Sequence, residues 1–165
     1  TFTMESPVSE EDFKSKTIAD LTTVLFKAAQ EDYNMKLNLL KEKSFPIIEN
    51  VYQSQGSLFK MIQVPFTDGI KTMTIVTDLK EAFDTKCETM INDFEKNITL
   101  SIIDENWKLH LREMDDLRKS SQGAVYEQKD PLVIYKQESF HLFTEMIDKL
   151  NREIISFLYK GEISA

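Results

Sequence analysis

Residues 79–123 read LKEAFDTKCETMINDFEKNITLSIIDENWKLHLREMDDLRKSSQG, and up to the final Gly123 they fall in the longest stretch of the chain free of Gly and Pro. Phe83, Cys87, Met90, Phe94, Ile98, Ile102, Trp107, Leu111 and Met114 recur at spacings of three, four or five. That is the period of a helix with one apolar stripe. No Gly or Pro interrupts the run before Gly123. The pattern predicts one uninterrupted helix of roughly forty residues from Leu79, about 60 Å long at 1.5 Å per residue. A helix of that length serves as a strut.

Working outward toward the C-terminus, Ser120-Ser121-Gln122-Gly123 ends the strut and a loop follows to Asp130-Pro131. Asp at the N-cap with Pro at the first helical position restarts a helix. Leu132, Tyr135, Ser139, Leu142, Phe143, Met146, Leu150, Ile154 and Phe157 form its stripe, which closes near Gly161. Two long helices joined by a short loop make an antiparallel hairpin, with the loop at its far end. The stripe of Trp107, Leu111 and Met114 is expected to mate with Leu142, Phe143 and Met146.

Toward the N-terminus, Ser9 followed by Glu10, Glu11 and Asp12 reads as a capped helix start. Leu21, Leu25, Ala28, Met35 and Leu39 continue it, and Pro46 is expected to break or kink it for want of an N–H. A shorter helix then runs to Gln55, with Gly56 as the stop. Between residues 58 and 77, two β-prone runs flank Pro65-Phe66-Thr67-Asp68-Gly69, a hairpin turn signal because Gly accepts positive φ freely. The fold class is therefore mainly α: a long antiparallel helical hairpin plus a small helical domain carrying a β-hairpin. The expected division is 1–78 and 79–165, with the hairpin loop at about 120–130.

Composition narrows the function. The net charge is −8, from 28 acidic and 20 basic residues that are interleaved, so a phosphate backbone is repelled and nucleic acid is not an expected partner. Cys87 is the sole cysteine, which precludes an intrachain disulfide and fits a reducing compartment. The apolar stretches are shorter than a membrane span, so any membrane contact is expected to be peripheral. The chain begins at Thr1 rather than Met, which reads as an excised piece.

Catalytic chemistry is hard to place. A phosphate cradle needs clustered glycines, and the four here stand at 56, 69, 123 and 161. His110 beside Trp107 reads as a helix histidine satisfied by a nearby acid, and His141 as an exposed flank residue. Cys87 falls on the apolar stripe and reads as core. The carboxylates read as solvated helix faces that pair with Lys or Arg along the helix, such as Glu113 with Arg112 and Arg118, or Asp115 with Lys119. No metal or catalytic site is expected. The loop is more informative: Gly123-Ala124-Val125-Tyr126 puts an aromatic ring where solvent is expected. Tyr126 either folds back as a cap or contacts a partner, and both uses fit the residues.

Three ordered blocks carry a resemblance. Trp107-Lys108-Leu109-His110-Leu111-Arg112-Glu113-Met114-Asp115-Asp116-Leu117-Arg118 resembles the W-x-x-H-L-x-x-M-D-x-L-R segment of the SecA preprotein translocase family. Tyr126-Glu127-Gln128-Lys129-Asp130-Pro131 resembles its Y-x-Q-K-D-P, and Tyr135-Lys136-Gln137-Glu138-Ser139-Phe140 its Y-K-x-E-S-F. Residues 79 to 160 look like the second part of that family's helical scaffold with its two-helix finger; residues before 79 resemble the helical wing more loosely.

The resemblance implies part of a motor that couples ATP hydrolysis to preprotein translocation through the SecY channel. ATP and magnesium would bind in nucleotide-binding domains of the same parent chain; this piece is expected to carry no cofactor and no catalytic activity of its own. It implies contact of Tyr126, Val125, Ala124, Gln128 and Lys129 with channel or unfolded preprotein, supported by Trp107, His110, Leu111, Met114, Arg118, Tyr135 and Phe140. Many relatives carry Arg-Gly before that Tyr where this chain has Ala124-Val125, which makes the tip more apolar. The family's zinc-binding tail lies beyond Ala165. A cytoplasmic protein at the inner face of the bacterial plasma membrane is implied, with an anionic membrane surface as a further partner. The alternative from another class is a free-standing helical adaptor or chaperone-like module that holds an amphipathic partner.

Overall fold

The computed structural model describes residues 6–56, 58–121 and 130–164. Helix α1 (Glu10–Ser15) starts at Ser9, whose hydroxyl accepts the Asp12 N–H at 3.1 Å. It stops after six residues. Thr17 is a second cap, accepting the Asp20 N–H and donating its hydroxyl to the Asp20 carboxylate at 2.7 Å, and it starts α2 (Ile18–Gln55). The single helix expected from Ser9 is thus two, because a β-branched hydroxyl residue with an acid three positions on is itself a start signal.

Pro46 neither breaks nor ends α2, which continues through it to Gln55. This corrects the expected break. An interior proline costs about 3 kcal/mol. The segment beyond it has its own anchors: Ile48 is buried and Tyr52 stacks on Phe83 with ring centroids 4.5 Å apart. Burying Ile48 contributes about 1.5–3 kcal/mol, and the half-buried Tyr52 stack adds to it against the cost of the proline.

Strands β1 (Met61–Thr67) and β2 (Thr72–Asp78) form the expected antiparallel hairpin, with Val64 opposite Ile75 and Phe66 opposite Met73. At the turn, Gly69 has φ +86° and the Asp68 carboxylate accepts the N–H groups of Ile70 and Lys71. Alternation sends Val64, Phe66, Ile75 and Thr77 inward. A third strand, β3 (Glu162–Ile163), was not legible in the sequence; it pairs antiparallel with the other edge of β1, giving the order β2-β1-β3. Pro65 therefore sits in the central strand. It has no N–H to give, but its carbonyl accepts from Ser164 N at 2.9 Å.

Asp78 caps α3 (Leu79–Asp84) by accepting the Glu81 N–H. The expected forty-residue rod is interrupted here: Lys86 and Cys87 take φ of 50° and 69°, and α4 (Glu88–Ser121) starts only afterwards. Apolar residues continue at helical spacing across the break, so the pattern hides it. The end of α3 is closed by backbone bonds from Cys87 N to the Ala82 carbonyl and from Lys86 N to the Phe83 carbonyl, and α3 turns so that Phe83 meets the rings of Tyr52 and Phe45 on α2. Asp130 caps α5 (Pro131–Lys160) through its carboxylate to Leu132 N at 2.8 Å, as the Asp-Pro pair predicts.

The chain forms two compact units: one made of residues up to Asn97 together with those from Ser156, the other Ile98–Ile155. In the first, Phe66, Phe94 and Phe157 form the aromatic centre, with Phe66 and Phe94 centroids 4.4 Å apart. Gly161 lies so close that a Cβ there would sit 3.0 Å from the Phe94 ring. A polar clasp joins α2 to α4 and to the end of α5. Lys36 Nζ donates to the carbonyls of Leu158 (2.8 Å) and Tyr159, Tyr33 donates to Glu95 at 2.9 Å, and Tyr159 donates to the Ala29 carbonyl. Lysine is suited to this place, where the last carbonyls of a helix lack partners.

Candidate functional site

The second unit holds the stretches of α4 and α5 where the expected contact helices lie. Within it the two run antiparallel: Asn106 meets Glu153, and further along α4 His110 meets Phe143. In this unit the buried positions of α4 are Ile98, Ile102, Asn106 and His110, spaced by four, and Ser121 at its end. Trp107 and Leu111, expected in the seam, are instead 46% and 50% exposed. The inward face is thus offset by one residue from the most hydrophobic choice, and Asn106 and His110 fill the places assigned to Trp107 and Leu111.

Asn106 tolerates burial because its amide is satisfied. Nδ2 donates to the Ile102 carbonyl at 3.0 Å and to Glu153 Oε2 at 2.8 Å. Lys149 stands 3.9 Å from the other Glu153 oxygen. His110 lies between Trp107 (centroids 5.6 Å) and Phe143 (6.0 Å, edge-on), and its Nδ1 is buried with no hydrogen-bond partner. The acid expected beside it is not its partner. Met146 is buried, and Asn106, Leu109, Glu113, Leu142, Met146 and Lys149 line a small interhelical cavity of about 160 Å³.

The surface of α4 carries the expected kind of i,i+4 pair in Asp104 with Lys108, and i,i+3 pairs in Asp115 with Arg118 and Asp116 with Lys119; the particular pairings expected of Glu113, and of Asp115 with Lys119, are not found among the described residues. His141 is exposed and lies 3.4 Å from Glu145. Of the other expected supporting residues, Met114 and Tyr135 are half-buried, Arg118 is exposed, and Phe140 is 73% exposed. Cys87 is fully buried, and burial pushes its thiol up from the ordinary value. Among the described residues no group of His, Cys, Asp and Glu could hold a metal ion, and no helix is long and apolar enough to cross a membrane. The expected contact residues Ala124, Val125, Tyr126, Gln128 and Lys129 lie outside the described residues.

The offset leaves an exposed apolar stripe on α4. Leu100, Ile103, Trp107 and Leu111 are all exposed, at the spacing of one helix face. Hydrophobicity alone had assigned part of that face to the interior. Residues 3–162 match the SecA Wing and Scaffold domain.

The chain belongs to the SecA family.

It is similar to the protein translocase subunit SecA of Christiangramia forsetii, 51% identical over 162 residues that cover 98% of this chain and 14% of that protein. The SecA of Flavobacterium psychrophilum is 51% identical over 158 residues, 96% of this chain and 14% of the relative. That of Parabacteroides distasonis is 45% identical over 163 residues, 99% and 14% respectively. The chain thus spans about one-seventh of the length of these SecA relatives, and the match covers nearly all of it. No solved structure matches it. A free-standing adaptor finds no support in these relatives, which are translocase subunits. SecA membership accounts for the three sequence blocks, whereas the polar seam partners Asn106 and Glu153 escape a hydrophobicity pattern. A strict four-residue spacing from Ile98 is the one signal that could have found Asn106.

Proposed function

We propose that this chain is the force-transmitting and polypeptide-contacting part of a preprotein translocase motor. Residues 1–78 act as its helical wing, and residues 79–165 as its scaffold segment with a two-helix finger. ATP and magnesium bind in other domains of the parent SecA chain. The finger enters the cytoplasmic mouth of the SecY channel, with Tyr126 as the principal contact to the moving unfolded preprotein and Ala124, Val125, Gln128 and Lys129 beside it. The parent works at the inner face of the plasma membrane and associates with that anionic surface peripherally.

The observation that carries this reading is the exposed stripe of Leu100, Ile103, Trp107 and Leu111 on α4. An apolar face of four large side chains at one helical spacing is a surface for another protein domain. In a chain that spans 14% of its SecA relatives, the remaining domains of the parent are the natural occupants. The four widely separated glycines support placing the nucleotide site elsewhere.

The test is site-specific photocrosslinking from position 126 in the complete motor during transport. Adducts with the translocating polypeptide are expected. Adducts confined to the motor itself would overturn the finger contact in favour of a folded-back ring.

A further inference from the structure

The joint between α3 and α4 is the most strained segment among the described residues. Lys86 and Cys87 both take left-handed φ, 50° and 69°, with no glycine at either place. A left-handed conformation is unfavourable for any residue with a Cβ, and two in succession are rarely tolerated. The sequence does not mark the bend, since residues 79–121 contain neither Gly nor Pro and their apolar residues keep helical spacing.

Local and tertiary contacts together hold the bend: the Cys87 N–H donates to the Ala82 carbonyl at 2.7 Å and the Lys86 N–H to the Phe83 carbonyl at 3.1 Å, the bond pair of a left-handed helix end, and Leu79 and Ala82 of α3 are buried. Phe83 stacks on Tyr52 at 4.5 Å and faces Phe45 at 6.0 Å, both on α2. Lys41 of α2 pairs with Glu88, the first residue of α4, at 2.7 Å. The Thr85 hydroxyl serves both helices, donating to the Glu81 carbonyl at 2.7 Å and accepting the Thr89 N–H at 3.1 Å. Lys86 lines an open depression with Phe45 and Pro46, so the joint faces the one turn of α2 that lacks a backbone donor.

We propose that residues 85–87 form a two-state joint. In the bent state α3 is docked on α2 through Phe83. In the straight state Lys86 and Cys87 take ordinary helical dihedrals and α3 continues α4 as one helix. Docking and strain oppose each other, so loss of the Phe83 stack releases the joint.

Spin labels at Lys80→Cys and Lys96→Cys in the full chain, in a Cys87→Ala background, read the two states by distance. Both positions are exposed. A continuous helix separates them by about 24 Å at 1.5 Å per residue. The background chain is expected to give one shorter distance, and Phe83→Ala to move part of the distribution to about 24 Å. Adding Lys86→Gly to Phe83→Ala should restore the short distance, because glycine removes the strain and disfavours the helix. Lys86→Gly alone should raise the unfolding midpoint. Where Phe83→Ala fails to fold, Tyr52→Ala removes the same stack from the α2 side and should give the same shift. An unchanged distribution in the folded stack variant, or a midpoint that Lys86→Gly leaves unmoved, would overturn the proposal.

Discussion

The amide of Asn106 on α4 donates to Glu153 Oε2 on α5 at 2.8 Å, and this polar bridge stands at a seam position where a hydrophobic side chain is expected. Asn106→Ala removes a donor and leaves a partly buried carboxylate short of a partner, which costs about 1–3 kcal/mol. Chemical denaturation of the chain should show that loss. Glu153→Gln, which keeps an acceptor oxygen, should show a smaller one.

Trp107→Ala separates packing from contact. A fully buried tryptophan costs about 3–5 kcal/mol on truncation. Trp107 is 46% exposed, so the isolated chain should lose clearly less than that. Transport by a complete SecA carrying the substitution should nevertheless weaken. A large stability loss with normal transport would assign Trp107 to the core.

The α2–α5 clasp predicts a pH profile. Burial lowers Lys36 from 10.5 to about 8, against the opposing pull of Glu162 and Asp32. Between those values the unfolded chain binds more protons than the folded one, so stability rises as pH climbs from about 8 toward 10.5. Burial first, then the hydrogen bond to Glu95, raises Tyr33 above its ordinary 10.0, and burial raises Tyr159 in the same direction. Above pH 10 the folded chain therefore retains phenol protons that the unfolded chain loses, and stability falls again. Melting temperature followed by circular dichroism should pass through a maximum. Lys36→Met should flatten the rising limb and Tyr33→Phe the falling one.

Gly161→Ala tests the turn from α5 into β3. The added Cβ would lie 2.8 Å from the Phe157 carbonyl oxygen and 3.0 Å from the Phe94 ring. Overpacking of this kind costs about 1–3 kcal/mol, readable as a lower unfolding midpoint.

These residues also show which parts of the fold the sequence reveals. Asp130-Pro131, Ser9 and Asp68-Gly69 act through hydrogen bonds within a few residues of themselves, and the structure places a helix start or a turn at each. Pro46 and the Lys86-Cys87 break went the other way. Both lie where Tyr52 and Phe45 of α2 meet Phe83 of α3, a contact between segments that no local pattern records. The seam lies one position away from the most hydrophobic stripe for a related reason. Hydrophobicity ranks Trp107 above Asn106, but Asn106 has partners on both helices and Trp107 is left to face outward. Strand β3 is too short to show a period of two.

In the structure α4 leaves its Leu100, Ile103, Trp107 and Leu111 stripe exposed, while Asn106 and His110 meet α5. Photocrosslinkers at positions 106, 107, 110 and 111 of α4 in the complete SecA test this most directly. Positions 106 and 110 should give adducts with α5 of the same hairpin, and 107 and 111 adducts with other domains or partners. The reverse pattern, with 107 and 111 joined to α5, would contradict it.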